Sequence, residues 1–261
     1  MLSPEAARHA AIRDLDATLS RLRDLQPSQW TRPTPCAGWS VAALAAHMAE
    51  SAFGLSAQAA HAIGRRTGAA PAVVVPQPAK PDAPPEQIIA HLTHGRNQLH
   101  HVLFQMEEDD VDLAWTPDDE SSPPFAGGRL LAVCAAEFGI HRFDLEDALG
   151  EQEAGVSQET ILAAMEVYGR WLDAFPRRHG GVPDQPFSLH LEGETIDVTL
   201  TWDGKRWHGG PKPTIPVTHV RGDDSAVTLF MFGRIGADDH RLDVDGDLAI
   251  ARSFKRWVPG P

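Results

Sequence analysis

Cys134-Ala-Ala-Glu137-Phe-Gly-Ile-His141-Arg-Phe-Asp144 decides how this chain is read. The stretch is helical in pattern, and Glu137 and His141 stand four residues apart. At that spacing both side chains leave the same face of a helix, one turn apart. A carboxylate and an imidazole so placed can grip one metal ion. They also stand among apolar residues, on the side that should face inward. A pair of this kind arises by chance in many helices, where it is a solvated or salt-linked pair, so its meaning depends on what the rest of the chain brings to it.

The bounds are wide but useful. A chain of 261 residues holds one large domain or two modest ones, and 42% hydrophobic residues suffice for a proper core. The formal net charge is -13 with no basic cluster, which speaks against general nucleic-acid binding and against docking on anionic membranes. No apolar run approaches the roughly 18 residues of a spanning helix, and MLSPEAARHAA lacks the build of a signal peptide. Two cysteines, Cys36 and Cys134, are no disulfide framework. The expectation is a soluble cytoplasmic protein with reduced thiols.

Apolar periodicity predicts four helices, at about 4–25, 41–63, 86–107 and 129–149, the second capped by Ser40 and the last ended by Gly150. Long proline-containing loops, 64–85 and 109–128, separate them. Loops of that length in a compact domain are more often functional than idle. A fifth helix covers about 157–175. Then the period changes to two: 187–192 and 195–202 read as a hairpin, 205–208 and 217–221 as further strands, 225–233 as a short helix, 241–244 as a strand and 247–257 as a closing helix. The predicted organisation is a helix bundle over 1–155, a connecting helix over 156–182, and a smaller α+β domain over 183–261.

Bundles build metal sites from inward side chains on facing helices. In an up-down bundle the second and fourth helices start at the same end. His47 is then about 10 Å, and Glu137 about 12 Å, along the axis at ~1.5 Å per residue. The loops holding Cys36–Trp39 and Asp109–Gly128 would roof that end. Two histidines and one glutamate are the donor set of catalytic zinc sites, which leave a position open. Spacing alone leaves an ordinary buried polar network equally open.

Two motifs carry a resemblance. Thr34-Pro-Cys-Ala-Gly-Trp-Ser-Val-Ala-Ala-Leu-Ala-Ala-His47 and Glu137-Phe-Gly-Ile-His141-Arg-Phe-Asp144-Leu-Glu-Asp-Ala-Leu-Gly150 resemble the signatures of mycothiol-dependent maleylpyruvate isomerase-like proteins, within the DinB-like metalloenzyme bundles. Leu229-Phe-Met-Phe-Gly-Arg234 and Leu242-Asp-Val-Asp-Gly-Asp247 are similar to that family's C-terminal domain, related to sterol-carrier proteins.

The resemblance implies a DinB-like up-down four-helix bundle followed by a sterol-carrier-like α+β domain. It implies a divalent metal, zinc, held by His47, Glu137 and His141, with mycothiol as thiol cosubstrate. The implied activity is isomerisation of maleylpyruvate or transfer of the thiol to a small electrophile. A zinc-bound thiol is ionised at neutral pH, which suits both reactions. Arg234 matches the family's C-terminal arginine and could clamp a substrate carboxylate, or equally form an internal salt bridge. The alternative is a non-catalytic small-molecule binder with a structural metal. The expected partners are a small electrophile and a low-molecular-weight thiol, with no nucleic acid and no membrane; the chain is expected as a monomer or homodimer.

The remaining candidates read more plainly. Asp144 would orient an imidazole or lie on the helix surface. Cys134 reads as packing, Cys36 as mostly structural, and Trp39 as a plug at the bundle end. His91, His94, His100 and His101 read as solvated or hydrogen-bonded. The acidic run Glu107–Asp112 reads as solvated.

Overall fold

The structure is a computed structural model that describes residues 2–112, 114–115, 125–151, 154–179, 181–210 and 217–258. The chain divides into two compact units, Met1–Ala154 and Gly155–Pro261. Of the predicted 109–128 loop, residues 113 and 116–124 lie outside the described residues. The first unit contains helices α1 (Pro4–Arg23), α2 (Val41–Thr67), α3 (Pro85–Leu103), the short α4 (Glu108–Asp112), a two-residue ladder of β1 (Ala114–Trp115) and β2 (Phe125–Ala126), and α5 (Gly127–Ala148). Ser3 caps α1 by accepting from the Ala6 amide, and Ser40 caps α2 by accepting from Ala43, each satisfying an amide with no partner inside its helix.

Helix α5 is buried on nearly every face: Leu130, Leu131, Cys134, Ala135, Phe138, Ile140, Phe143 and Leu145 are all sequestered. A helix enclosed on most of its sides belongs in the middle of a protein rather than on its surface. It packs against both α1 and α2, while α3 packs against α2 and α1. The four long helices therefore form a ring in the order α1, α3, α2, α5.

Their directions follow from a few contacts. Cys36 reaches Asp144 and Arg32 reaches the Leu149 carbonyl, so the start of α2 lies at the end of α5. At the opposite end, Arg66 near the close of α2 holds Asp110, shortly before α5 begins. Helices α2 and α5 are thus antiparallel. Arg21 pairs with Glu151 and Arg142 with Asp14, which makes α1 parallel to α5. His9 meets Phe104 while Arg96 meets Asp16, which makes α1 antiparallel to α3. The bundle runs up, down, down, up.

This corrects the depth alignment made from sequence, which counted α2 and α5 from the same end. The residues meet for a different reason: His47 lies six residues after Val41, and His141 seven before Ala148. Only one of the two expected roofing segments is at that end, the turn around Cys36–Trp39. Asp110, from the other, is at the far end. The topology also explains the Ala/Pro-rich stretch after Gly68: α2 and α3 run the same way, so the chain must return along the bundle before α3 starts. Helix α3 comes close to α2 at Gly95, where a Cβ would stand 3.1 Å from both the Ala49 carbonyl oxygen and the Ala52 Cβ.

The acidic run Glu107–Asp112 departs from expectation too. Asp110 is fully buried and accepts two hydrogen bonds from the Arg66 guanidinium, at 2.7 and 2.9 Å, and one from the Glu107 amide. A bidentate fork of this kind compensates the loss of water around a carboxylate. The polar spacing of the run gave no sign that one of its members turns inward to meet a residue 44 positions earlier.

The second unit contains α6 (Gln158–His179), β3 (Phe187–Glu192), β4 (Asp197–Trp202), β5 (Trp207–Gly210), β6 (Val217–Gly222), α7 (Asp224–Met231), β7 (Leu242–Asp245) and α8 (Leu248–Trp257). The sheet order is β5-β4-β3-β6-β7, antiparallel except for the central parallel pair β3–β6. Its apolar residues Leu189, Leu191, Leu200 and Val220 are buried, as are Phe230 and Phe254, whose rings stack at 5.2 Å. Among the described residues, no helix is long and apolar enough to cross a membrane.

Burial pushes the Asp110 carboxyl up, but the Arg66 guanidinium and the Glu107 amide outweigh it and hold it below the usual range. Its folded pKa is depressed, so its contribution is present above the unfolded value and is lost as pH falls through the folded one. Asp110→Ala should cost about 2–3 kcal/mol in urea unfolding at pH 7, less than a fully enclosed pair because Arg66 is partly solvated. The difference from the parent should shrink in strong acid.

Candidate metal centre

The segment before α2 is shaped by its own backbone. The Thr34 amide donates to the Trp39 carbonyl at 2.9 Å, Trp39 to Cys36 at 3.0 Å, and Val41 to Arg32 at 3.0 Å. Gly38 takes a positive φ of 80°, a conformation that side-chain-bearing residues rarely adopt. The turn delivers Trp39 over the start of α2, where its ring centroid lies 4.6 Å from that of His47 and 6.1 Å from that of His141.

His47, Glu137 and His141 come together. The donor atoms of all three lie within 4.8 Å of one another. His47 Nε2 is 3.0 Å and His141 Nε2 is 3.6 Å from the same oxygen, Oε1 of Glu137. Adjacent donors on a tetrahedral zinc ion with bonds of ~2.0–2.1 Å stand about 3.3 Å apart, and the two observed separations bracket that value. The donor chemistry and spacing therefore fit a divalent ion.

Asp144 fixes the third donor. It is fully buried, and its Oδ2 accepts from His141 Nδ1 at 2.8 Å. With the proton on Nδ1, the lone pair is on Nε2, facing Glu137. A carboxylate on the far nitrogen is the usual partner of a metal-bound imidazole. The Cys36 thiol donates to the same oxygen at 3.2 Å. Cys36, His141 and Asp144 also lie within ligand range of one another. However, 2.8 Å between Nδ1 and Oδ2 is a hydrogen bond and leaves no room for an ion between them.

Ser51 was missed in the sequence. Its hydroxyl donates to Glu137 Oε1 at 2.7 Å and is 3.3 Å from His47 Nε2. The signal was there, since Ser51 is one helical turn after His47 on the same inward face. Burial pushes the Glu137 carboxyl up, but the His141 and His47 imidazoles and the Ser51 hydroxyl outweigh it and hold it down at about 2. Glu137 is thus an ionised carboxylate among the buried residues of α5.

Other candidates in the bundle stand apart from this cluster. Cys134 is fully buried, and burial pushes its thiol well up, so it stays protonated and serves as packing. His91 and His94 pack against Phe53, His100 stacks on Phe104, and His101 lies against Gln105. Arg234 belongs to the second unit. It is buried at the turn after α7, and one of its guanidinium nitrogens donates to the Phe232 carbonyl at 2.9 Å.

Residues 8–146 match the sequence profile of the mycothiol maleylpyruvate isomerase N-terminal domain. The chain belongs to this family. Two uncharacterized proteins, from two strains of Mycobacterium tuberculosis, are 27% identical over 259 residues, covering 94% of this chain and 88% of each relative. Crystal structures of the mycothiol-dependent maleylpyruvate isomerase and of a histidine-to-alanine variant superpose with a TM-score of 0.63. They are 15% identical to this chain and cover 94% of it and 93% of their own length. The family member described here shares their fold, a four-helix bundle followed by an α+β part.

Because the folded pKa of Glu137 is depressed from 4.5 to about 2, its charge stabilises the metal-free fold above pH 4.5 and that contribution fades as pH falls toward 2. Metal-stripped Glu137→Gln should lack this component. Its stability relative to the parent should be lowest near neutral pH and should converge with the parent only as the pH reaches about 2 in chemical denaturation.

Proposed function

We propose that this protein is a zinc-dependent enzyme that uses a low-molecular-weight thiol, mycothiol, to isomerise maleylpyruvate or a similar small electrophile, or to transfer the thiol to it. The observation that carries the reading is the convergence of His47 Nε2, Glu137 Oε1 and His141 Nε2, with Asp144 behind His141. Membership of the isomerase family supports it. Among the described residues, no fourth histidine, cysteine, aspartate or glutamate joins this group. That favours a centre open to an outside ligand over one closed for structure alone.

His47, Glu137 and His141 would hold the ion, and one carboxylate against two positive charges leaves a net charge of +1. A bound zinc ion supplies the positive charge that keeps a thiol ionised at neutral pH. The chain's own residues do the rest. Asp144 holds the proton of His141 on Nδ1 and sets the ring's orientation. The Ser51 hydroxyl donates to Glu137 and steadies that carboxylate. Trp39 covers both histidine rings and limits the approach of water from its side.

The bundle centre should hold about one zinc equivalent in purified protein, and His47→Ala should lose that equivalent. Zinc content undiminished from the parent's in that variant would remove the ligand assignment. Asp144→Asn should keep the fold and weaken zinc affinity by about 10–100-fold, read by chelator competition. Turnover of maleylpyruvate that requires mycothiol would establish the isomerase. Thiol conjugation to an electrophile, seen by mass spectrometry, would establish the transferase. Neither activity in zinc-loaded protein would overturn the enzymatic reading.

A further inference from the structure

The sheet of the second unit carries another convergence of ligand side chains. His190 and Glu192 are two residues apart in β3, so both leave one face of the sheet. β6 runs parallel beside β3 and pairs His219 directly with His190. The three side chains are half-exposed, and their donor atoms lie within 4.8 Å of one another. His219 Nδ1 is 3.0 Å and His190 Nδ1 is 4.0 Å from the same oxygen, Oε2 of Glu192. These values again lie on either side of the about 3.3 Å expected between donors on one tetrahedral ion. The two rings stand 5.2 Å apart.

The far side of His190 is also arranged. Its Nε2 lies 2.7 Å from Oδ1 of Asp197, on the neighbouring strand β4. A proton held there by the carboxylate leaves the lone pair on Nδ1, the nitrogen that faces Glu192. Asp197, exposed where Asp144 is buried, thus takes the same place on the far nitrogen of its histidine. One group competes: Arg221 Nε is 2.8 Å from the same Glu192 oxygen. It has other partners in reach, because Asp243 and Asp245 on β7 both lie 4.0 Å from it. The guanidinium can move onto them and leave Glu192 to a cation.

We propose that His190, Glu192 and His219 form a second metal site, for a borderline divalent ion such as zinc or nickel, that fastens β3 to β6. Two imidazoles and one carboxylate select such ions over calcium or magnesium, which prefer oxygen donors throughout. The position gives the site a structural consequence. β3–β6 is the junction between the β3–β4–β5 strands and the β6–β7 pair. An ion shared across it binds the folded sheet and not the unfolded chain, and so stabilises the fold.

The decisive comparison is the full-length protein against His219→Ala, each titrated with zinc by calorimetry. The variant should bind about one equivalent less, whatever the bundle itself takes up, and should lose the part of the zinc-induced rise in melting temperature that belongs to the sheet. In a His47→Ala, His141→Ala background, whose bundle donors are gone, about one equivalent should remain and disappear when His219→Ala is added. Circular dichroism checks that each variant is folded. If the bundle variant does not fold, the single His219→Ala comparison decides alone. An unchanged stoichiometry in His219→Ala overturns the proposal. Retention of the bundle equivalent in that variant keeps this result separate from any failure of the zinc assignment at His47.

Discussion

The first unit depends on an ionised carboxylate enclosed within a buried helix. Glu137 sits in α5, whose surroundings would ordinarily exclude it, since an isolated charge in such a place is strongly disfavoured. It is tolerated because two imidazoles and a hydroxyl converge on one oxygen. The two imidazoles are in turn held by other groups. His141 is held by Asp144, Asp144 also accepts from Cys36, and His47 lies under Trp39. Buried polar networks specify a unique arrangement when each member is satisfied, and this one ties the start of α2 to the last turns of α5. The polar network and the proposed metal centre are the same atoms.

The rest of the bundle serves that juxtaposition. α5 must pack between α1 and α2 to bring Glu137 and His141 to His47. With α1 and α5 parallel, the remaining helix α3 lies beside α2 and points the same way. That choice requires the long return after Gly68. It also places the Arg66–Asp110 pair at the far end of the bundle, where it anchors the segment leading into α5.

Much of this was legible in the residues. The helix boundaries follow from caps and apolar period, and the bundle followed by an α+β part follows from the change of period after residue 183. The three convergent side chains were legible because each is a polar residue on an otherwise apolar face. Helix direction was not legible. A period of 3.6 says which side of a helix is inward but carries no sign for its direction, so the alignment of His47 with Glu137 rested on a mistaken topology. Asp110 was illegible for a related reason: its partner Arg66 is distant in sequence, and a run of acidic residues looks alike whether or not one of them is enclosed. Ser51 was legible and overlooked, since serine in a helix is more often a filler than a participant.

The ring order has a consequence for how the chain reaches this state. α5 is the last long helix of the first unit to be made, yet it must settle between α1 and α2, the first two. The contacts that seat it span most of the unit, as between Arg21 and Glu151, 130 residues apart. Early in synthesis, α1, α2 and α3 therefore expose the apolar faces that α5 later covers. Closing such distant contacts is slow compared with forming a bundle of sequential hairpins. His47 is made some ninety residues before Glu137, so on a growing chain the site stays incomplete until α5 has emerged.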